Sequence, residues 1–362
     1  NELDVALSSR VRLARNYEDL PFDLGEKPDS AAMCVARTVQ ALRLEENAPV
    51  YDLVRLRDLT PLQRQGLAES RKISRDLMTH AAAAAVLLRE EESLSIMMNE
   101  EDHLRIQAVS EGLNLADAAE KCFRVDDSLS RHVTFAFDNQ LGYLTACPTN
   151  TGTGMRASLL MHLPMLTLCK QMGNVGQIVA KVGLTIHGVY GEGSEALGNL
   201  YQVSNQVTLG RTEQELISAV TAVGHQLIDM ERTLRDKALA GGRINLEDTI
   251  YRAWGLMTHA RLMPKKEFFA HWSNLRLGAA TKLLAIPLER VDALLTDCQD
   301  AHLCAWEEAA LEGTALDQAR AKRFQPPSGR QRSCVSLMWV RSICCWDCSR
   351  SRSAFRRLLA PG

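Results

Sequence analysis

The sequence predicts an α+β fold for roughly its first two-thirds and a smaller all-helical domain after it, on three observations. Strand-like and helix-like segments alternate from Asn1 to about Arg235, and two β-rich runs flank a hairpin turn at Asp138-Asn-Gln-Leu-Gly142. From Arg235 to Arg323 the strand signals stop. The expected divisions are therefore 1–234, 235–323 and a tail, 324–362.

The elements are justified in order. Leu7-Ser-Ser-Arg-Val-Arg-Leu13 reads as an extended segment with Arg10 and Arg12 on one face, because side chains two apart in a strand point the same way. Thr60-Pro61 is an N-cap followed by proline at the first helical position. Leu94–Met98, Val133–Phe137, Leu200–Val203 and Gln206–Leu209 are alternating or β-rich runs, and the turn after Phe137 implies one antiparallel pair. Ala157 to Met172 reads as a helix entered from the glycine-rich Gly152-Thr-Gly-Met-Arg156. Thr212-Glu-Gln-Glu215 is a capping box, and Leu216, Val220, Val223, Leu227 and Met230 follow close to a 3.6 period, which predicts a helix with one buried face. Gly241-Gly242 interrupts it, and Glu247–Met263 and Pro287–Leu311 read as further helices.

Composition narrows the function class. The chain has 362 residues, 46% hydrophobic and 24% charged, as expected of a soluble globular protein, and no apolar run approaches the roughly 18 residues of a membrane span. The net charge of −2 divides unequally: the tail from Phe324 carries seven arginines against one aspartate, leaving −8 for the body. Six of the ten cysteines lie scattered in the body without a repeating framework, which points to reduced thiols and a cytoplasmic protein rather than a disulfide scaffold or a zinc site. The sequence lacks the common P-loop and protein-kinase signatures, and neither nucleic acid nor a membrane is an expected partner.

Three kinds of side chain carry the chemistry. Arg10 and Arg12, Arg105 and Arg156 offer guanidinium forks suited to phosphate oxygens. Glu100, Glu101 and Asp102 in Asn99-Glu-Glu-Asp-His-Leu-Arg-Ile-Gln107, with Glu192 between glycines, offer carboxylates. Cys147, in Cys147-Pro-Thr-Asn150, is a thiol in a polar loop. Each alone fits a plainer reading: a solvated strand face, an acidic loop, a small buried side chain. Jointly they suit phosphoryl transfer to a guanidinium, a weak cationic nucleophile that carboxylates must align and deprotonate while cations hold the transferring group.

In these stretches, with His162-Leu-Pro164 and Val189-Tyr-Gly-Glu-Gly-Ser194, the chain resembles the phosphagen (guanidino) kinase superfamily, most closely the bacterial protein-arginine kinase family. The resemblance implies an antiparallel sheet flanked by helices, the guanidino kinase catalytic fold, with ATP and its Mg2+ held by arginines. By motif, nucleotide binding falls to Ser8, Ser9, Arg10, Val11, Arg12, Arg71, Arg105, Arg156, Ala157, Ser158, Leu159, Leu160, His187, Gly188, Val189, Tyr190, Gly191 and Glu192. The catalytic residues implied are Glu101 and Glu192 on the guanidinium, with Cys147 beside it and Arg105. It further implies protein substrates with exposed arginines, marking for a Clp ATPase and protease, control of a heat-shock repressor, an McsA-like activator, and a homodimer. The alternatives are a kinase for free arginine and a catalytically weak adaptor that binds phosphoarginine or client proteins.

Three departures from the family pattern stand out. His187 occupies the place of an arginine, and Arg71-Lys72 that of a histidine. The phosphoarginine pocket implied for the helical domain keeps Asp317 and Arg320 but has Leu316 where the family pattern begins with arginine.

Overall fold

The computed structural model describes residues 2–22, 28–45, 49–190 and 196–324. Two compact units share the chain: Asn1–Met161 with Gly173–His187 and Gln202–Ile228, and His162–Met172 with Gly188–Tyr201 and everything from Asp229 on. The strands are β1 (Ala6–Arg15), β2 (Asp52–Arg55), β3 (Ala85–Arg89), β4 (Leu94–Met98), β5 (Leu104–Glu111), β6 (Phe137–Asp138), β7 (Gly142–Tyr143), β8 (Met155–His162), β9 (Leu184–Tyr190) and β10 (Ala196–Asn205). Helices α1 (Pro28–Arg43), α2 (Pro61–Glu69), α3 (Arg75–Thr79), α4 (Leu115–Ser130), α5 (Pro164–Leu168), α6 (Met172–Lys181) and α7 (Glu213–Gly241) run among and after them. Helices α8 (Arg243–His259), α9 (Lys265–Ala280), α10 (Leu288–Asp297), α11 (Asp300–Glu307) and α12 (Thr314–Lys322) follow among the described residues.

The eight-stranded sheet has the order β2-β3-β4-β5-β1-β8-β10-β9, antiparallel from β2 through β8. Its register decides what each face carries. Arg12 lies opposite Gln107 on β5 and Arg156 on β8, while Val11 lies opposite Ala108 and Ala157. The period of two therefore puts Val11, Leu13, Ile106, Ala108, Ala157 and Leu159, all fully buried, on one face. Helix α4 covers that face: the Asn114 N–H preceding it donates to Ser9 Oγ at 2.7 Å, and Cys122 Sγ approaches Val11 O at 3.4 Å. Helix α7 packs on the same face. A Cβ on Gly224 would lie 2.5 Å from Leu159 Cδ1, so only glycine permits this approach.

The second unit is organised around Trp272, fully buried, whose indole N–H donates to Val291 O at 2.7 Å. Buried Glu231 accepts the Met165 and Leu166 N–H groups at 3.1 and 3.0 Å in the first turn of α5, satisfying donors that a helix start leaves open. Beside it, His162 meets Ser273 Oγ at 2.8 Å. Burial, with Arg276 and Arg235 nearby, pushes the His162 imidazole well below its ordinary range.

Several expectations are met. Thr60 and Thr212 both form capping boxes, Phe137 and Tyr143 pair across the hairpin turn, and α7 buries Leu216, Val220, Val223 and Leu227, with Met230 half-buried. The helix expected at Ala157–Met172 is instead strand β8 followed by α5. β8 alternates through Met155, Arg156, Ala157, Ser158 and Leu159, a period of two, but the apolar Leu159-Leu-Met161 that follows hides that period within the stretch read as helix. The glycine-rich turn accordingly enters a strand and presents no helix dipole. Gln206–Val207–Thr208 lies beyond the end of β10, because Thr208 Oγ1 donates to Thr149 O and Thr151 O and ties the segment to a loop. Strands β2 and β3, which the sequence reading did not single out, form one edge of the sheet.

Candidate active site

The face of the sheet opposite α4 is polar and cationic. β1 contributes Ser8, Arg10 and Arg12, β8 contributes Arg156, Ser158 and Leu160, and β5 contributes Arg105 and Gln107, all in register across the sheet. Strand β10 supplies two anchors. Arg10 donates to Gln202 Oε1 at 2.8 Å and Arg156 to Ser204 Oγ at 3.1 Å. Thr185 Oγ1 lies 3.4 Å from the same Ser204 oxygen, so β9 presents Thr185 and, two residues on, the exposed His187 to this side.

The guanidiniums are close enough to perturb one another. Burial first, and then Arg10, Arg105 and Arg156, push Arg12 well below the ordinary guanidinium range, with Glu100 opposing. Burial and Arg105 lower Arg156 likewise, and its Nε is buried without a hydrogen-bond partner among the described residues. Crowded cations with an unused buried donor are what a polyanion such as a triphosphate would relieve, so these residues fit MgATP. Among the described residues no group of three or more histidine, cysteine and carboxylate side chains could hold a metal ion.

The acidic motif forms the turn between β4 and β5. Asn99 takes a left-handed conformation, φ 63°, and its side-chain amide donates to Ala31 O and Ala83 O. The adjacent carboxylates then part company. Glu100 is sealed, its side chain 1% exposed, ion-paired with Arg105 and hydrogen-bonded to Ser74. Glu101 is 46% exposed and lies 3.6 Å from Arg105, so it is the accessible member of the pair. Arg71, also left-handed at φ 58°, reaches Ser8 Oγ at 3.4 Å, and Gln107 fixes its carbonyl at 2.8 Å.

Cys147 sits half-buried at the start of a short 3-10 turn, Pro148–Asn150, its Sγ 2.9 Å from Thr149 Oγ1. Its neighbour Ala146 donates a backbone N–H to Asp102 Oδ1 at 2.8 Å. One hydrogen bond therefore joins the residue after Glu101 to the residue before Cys147, and the two loops share one corner.

Some assigned residues stand elsewhere. Ser9 and Val11, Ala157 and Leu159 project to the α4 face: Ser9 Oγ donates to Gly112 O at 2.8 Å, and the other three are buried core. The motif runs through contiguous positions, whereas a strand alternates, so these side chains cannot join the arginine face. Gly188, Val189 and Tyr190 complete β9, while Gly191 and Glu192 lie outside the described residues, as does the tail from 325. Arg320, 1% exposed, donates to Cys298 O, Met263 O, Asp317 Oδ1 and Asp300 Oδ1 at 2.7–3.0 Å, so it pins helices together with its donors largely engaged. The sequence reading missed Gln202 and Ser204, although the alternation of the β10 run places both on one face.

Comparison with known proteins agrees with this geometry. Residues 34–234 match the ATP:guanido phosphotransferase C-terminal catalytic domain, and residues 243–327 match the protein-arginine kinase McsB C-terminal domain. The chain is 40% identical over 303 residues to the protein-arginine kinase of Caldanaerobacter subterraneus subsp. tengcongensis, covering 83% of this chain and 90% of that one. It is 44% identical over 286 residues to that of Moorella thermoacetica, covering 78% and 82%. In fold it resembles a lombricine kinase, TM-score 0.56 at 24% identity over 66% of this chain and 68% of that one. It also resembles the duplicated taurocyamine kinase of Schistosoma mansoni, TM-score 0.59 at 23% identity, over 68% of this chain and 37% of that one. With a guanidinium-lined sheet face, a matching catalytic domain and relatives alike over most of their length, the chain belongs to the ATP:guanido phosphotransferase family, in its protein-arginine kinase branch.

Proposed function

We propose that this chain transfers the γ-phosphoryl group of MgATP to arginine side chains of proteins. The observation that carries the reading is the pairing of a crowded arginine face with one accessible carboxylate, Glu101, at its edge. Arg10, Arg12, Arg105 and Arg156 would hold the triphosphate, with Ser8 and Arg71 at its border. Bound with the nucleotide, Mg2+ supplies charge neutralisation on the phosphates.

Glu101 would align the substrate guanidinium and take the proton its nitrogen loses as the nitrogen–phosphorus bond forms and the phosphorus–oxygen bond to the leaving diphosphate breaks. Sealed Glu100 holds Arg105 rather than substrate. Cys147, at the shared corner, would contact the guanidinium from its other side, and Glu192 is assigned by motif as the second carboxylate. His187 in place of arginine leaves this edge with less positive charge.

Within this reading the substrates are proteins with exposed arginines, and the chain works in the cytoplasm as a homodimer with an McsA-like activator. Its products mark clients for a Clp ATPase and protease and control a heat-shock repressor. The names of the relatives support protein acceptors. Mass spectrometry tests this: after incubation with MgATP, a model protein together with free arginine should yield phosphoarginine on the protein, and phosphorylation confined to the free amino acid would overturn the assignment.

A further inference from the structure

We propose that Asn16 and Asp102 are positioning residues that fix the Glu101 turn against the Cys147 loop, an inference that rests on the functional reading above. Both are almost fully buried, at 1% and 2% exposure, and neither belongs to the arginine face. Asn16 stands just past the end of β1. Its amide donates to Asp102 Oδ1 at 2.7 Å and to Leu144 O at 3.1 Å, and its own oxygen accepts the His103 N–H at 2.8 Å. Asp102 Oδ1 in turn accepts the Ala146 N–H at 2.8 Å. One side chain thus holds the turn at 102 and 103, and the pair together holds the loop at 144 and 146.

The neighbouring His103 is itself held from both ring nitrogens. His103 Nδ1 accepts the Tyr17 N–H at 2.9 Å, which leaves the proton on Nε2 to donate to Pro21 O at 2.9 Å. The remaining Asp102 oxygen, Oδ2, is buried without a hydrogen-bond partner among the described residues. A buried, half-satisfied carboxylate costs stability. What it contributes is placement: Glu101 and Cys147 each lie one residue from the Asp102–Ala146 bond, so loosening it moves both groups and leaves the strand-borne arginines where they are.

The test compares Asn16→Ala, Asp102→Ala and the double variant in the full chain. Each single variant should lower kcat/KM for a model protein acceptor on the order of 100-fold, the scale of a misplacement near 1 Å, with ATP affinity unchanged. The double variant should lose no more than the worse single, as expected of one mechanical unit. Asp102→Asn keeps an oxygen able to accept from Ala146 and should recover most of the loss.

An independent readout is iodoacetamide alkylation of Cys147, resolved by peptide mass spectrometry against exposed Cys169 as internal reference. The Cys147 to Cys169 rate ratio should shift in both single variants. Unchanged acceptor kinetics with an unchanged ratio, additive losses, or nucleotide affinity falling in step would each overturn the proposal. If the wild type makes no phosphoarginine, the functional reading fails, while the alkylation ratio still decides whether the tie sets the loop.

Discussion

Strand β1 carries guanidinium groups on both of its faces, in opposite circumstances. On the α4 side, Arg15 is saturated: it forms a two-pronged pair with Asp126 at 2.9 and 2.7 Å, donates to Ala14 O and Thr153 O, and lies 3.4 Å from the Tyr143 ring. On the other side, Arg12 is crowded by Arg10, Arg105 and Arg156, with buried Glu100 as the opposing charge. The same residue type is matched by a carboxylate on one face and crowded by like charges on the other. In the proposed function the first holds the fold and the others hold the nucleotide.

Removing each kind of arginine should separate these roles. Arg15→Ala leaves Asp126 buried without its partner and should destabilise the protein by about 3–5 kcal/mol in chemical denaturation, while the folded fraction still binds ATP. Arg156→Ala should do the reverse, weakening ATP on the order of 10- to 100-fold in titration calorimetry, a loss of about 1.4–2.8 kcal/mol, without lowering Tm. Comparable stability losses in both would dissolve the distinction.

A smaller effect comes from buried imidazoles that the fold keeps neutral. Burial lowers both His103 and His162 below their ordinary range, so the folded state resists protonation while the unfolded chain accepts it. Their contribution is complete above the unfolded value of about 6.5 and is lost as pH falls below it, by up to about 1.4 kcal/mol per pH unit for each group. Melting at pH 7 and pH 5.5 should show the drop, and a flat profile would contradict the assignment. The smallest effect expected is from His187→Arg, which adds a cation at the β9 edge and should strengthen ATP binding by about 0.5–1 kcal/mol, roughly two- to fivefold. No gain would count against a charge deficit there.

The arginine and carboxylate motifs were legible only jointly, since each alone also fits a solvated strand face or an acidic loop. Alternation along Leu7–Leu13 also put Arg10 and Arg12 on one face correctly. Ser9, Val11, Ala157 and Leu159 were drawn into the site because a motif is contiguous and a strand's faces are not. Strand β8 read as a helix because the apolar Leu159-Leu-Met161 masks the alternation that Met155-Arg-Ala-Ser-Leu159 carries. Gln202, Ser204, Asn16 and Asp102 needed the tertiary register: their partners lie 44 to 192 residues away in sequence, and no local pattern joins them. The split between sealed Glu100 and open Glu101 was likewise invisible, because it depends on Ser74 approaching from another segment.

The most direct measurement is phosphoarginine formation on a model protein by the wild type and by Glu101→Gln, with ATP binding followed in parallel. Glu101→Gln keeps the shape and removes the charge that aligns and deprotonates the guanidinium, so kcat should fall by several orders of magnitude with ATP affinity intact. Phosphoarginine at the wild-type rate, or nucleotide binding lost together with turnover, would contradict the account.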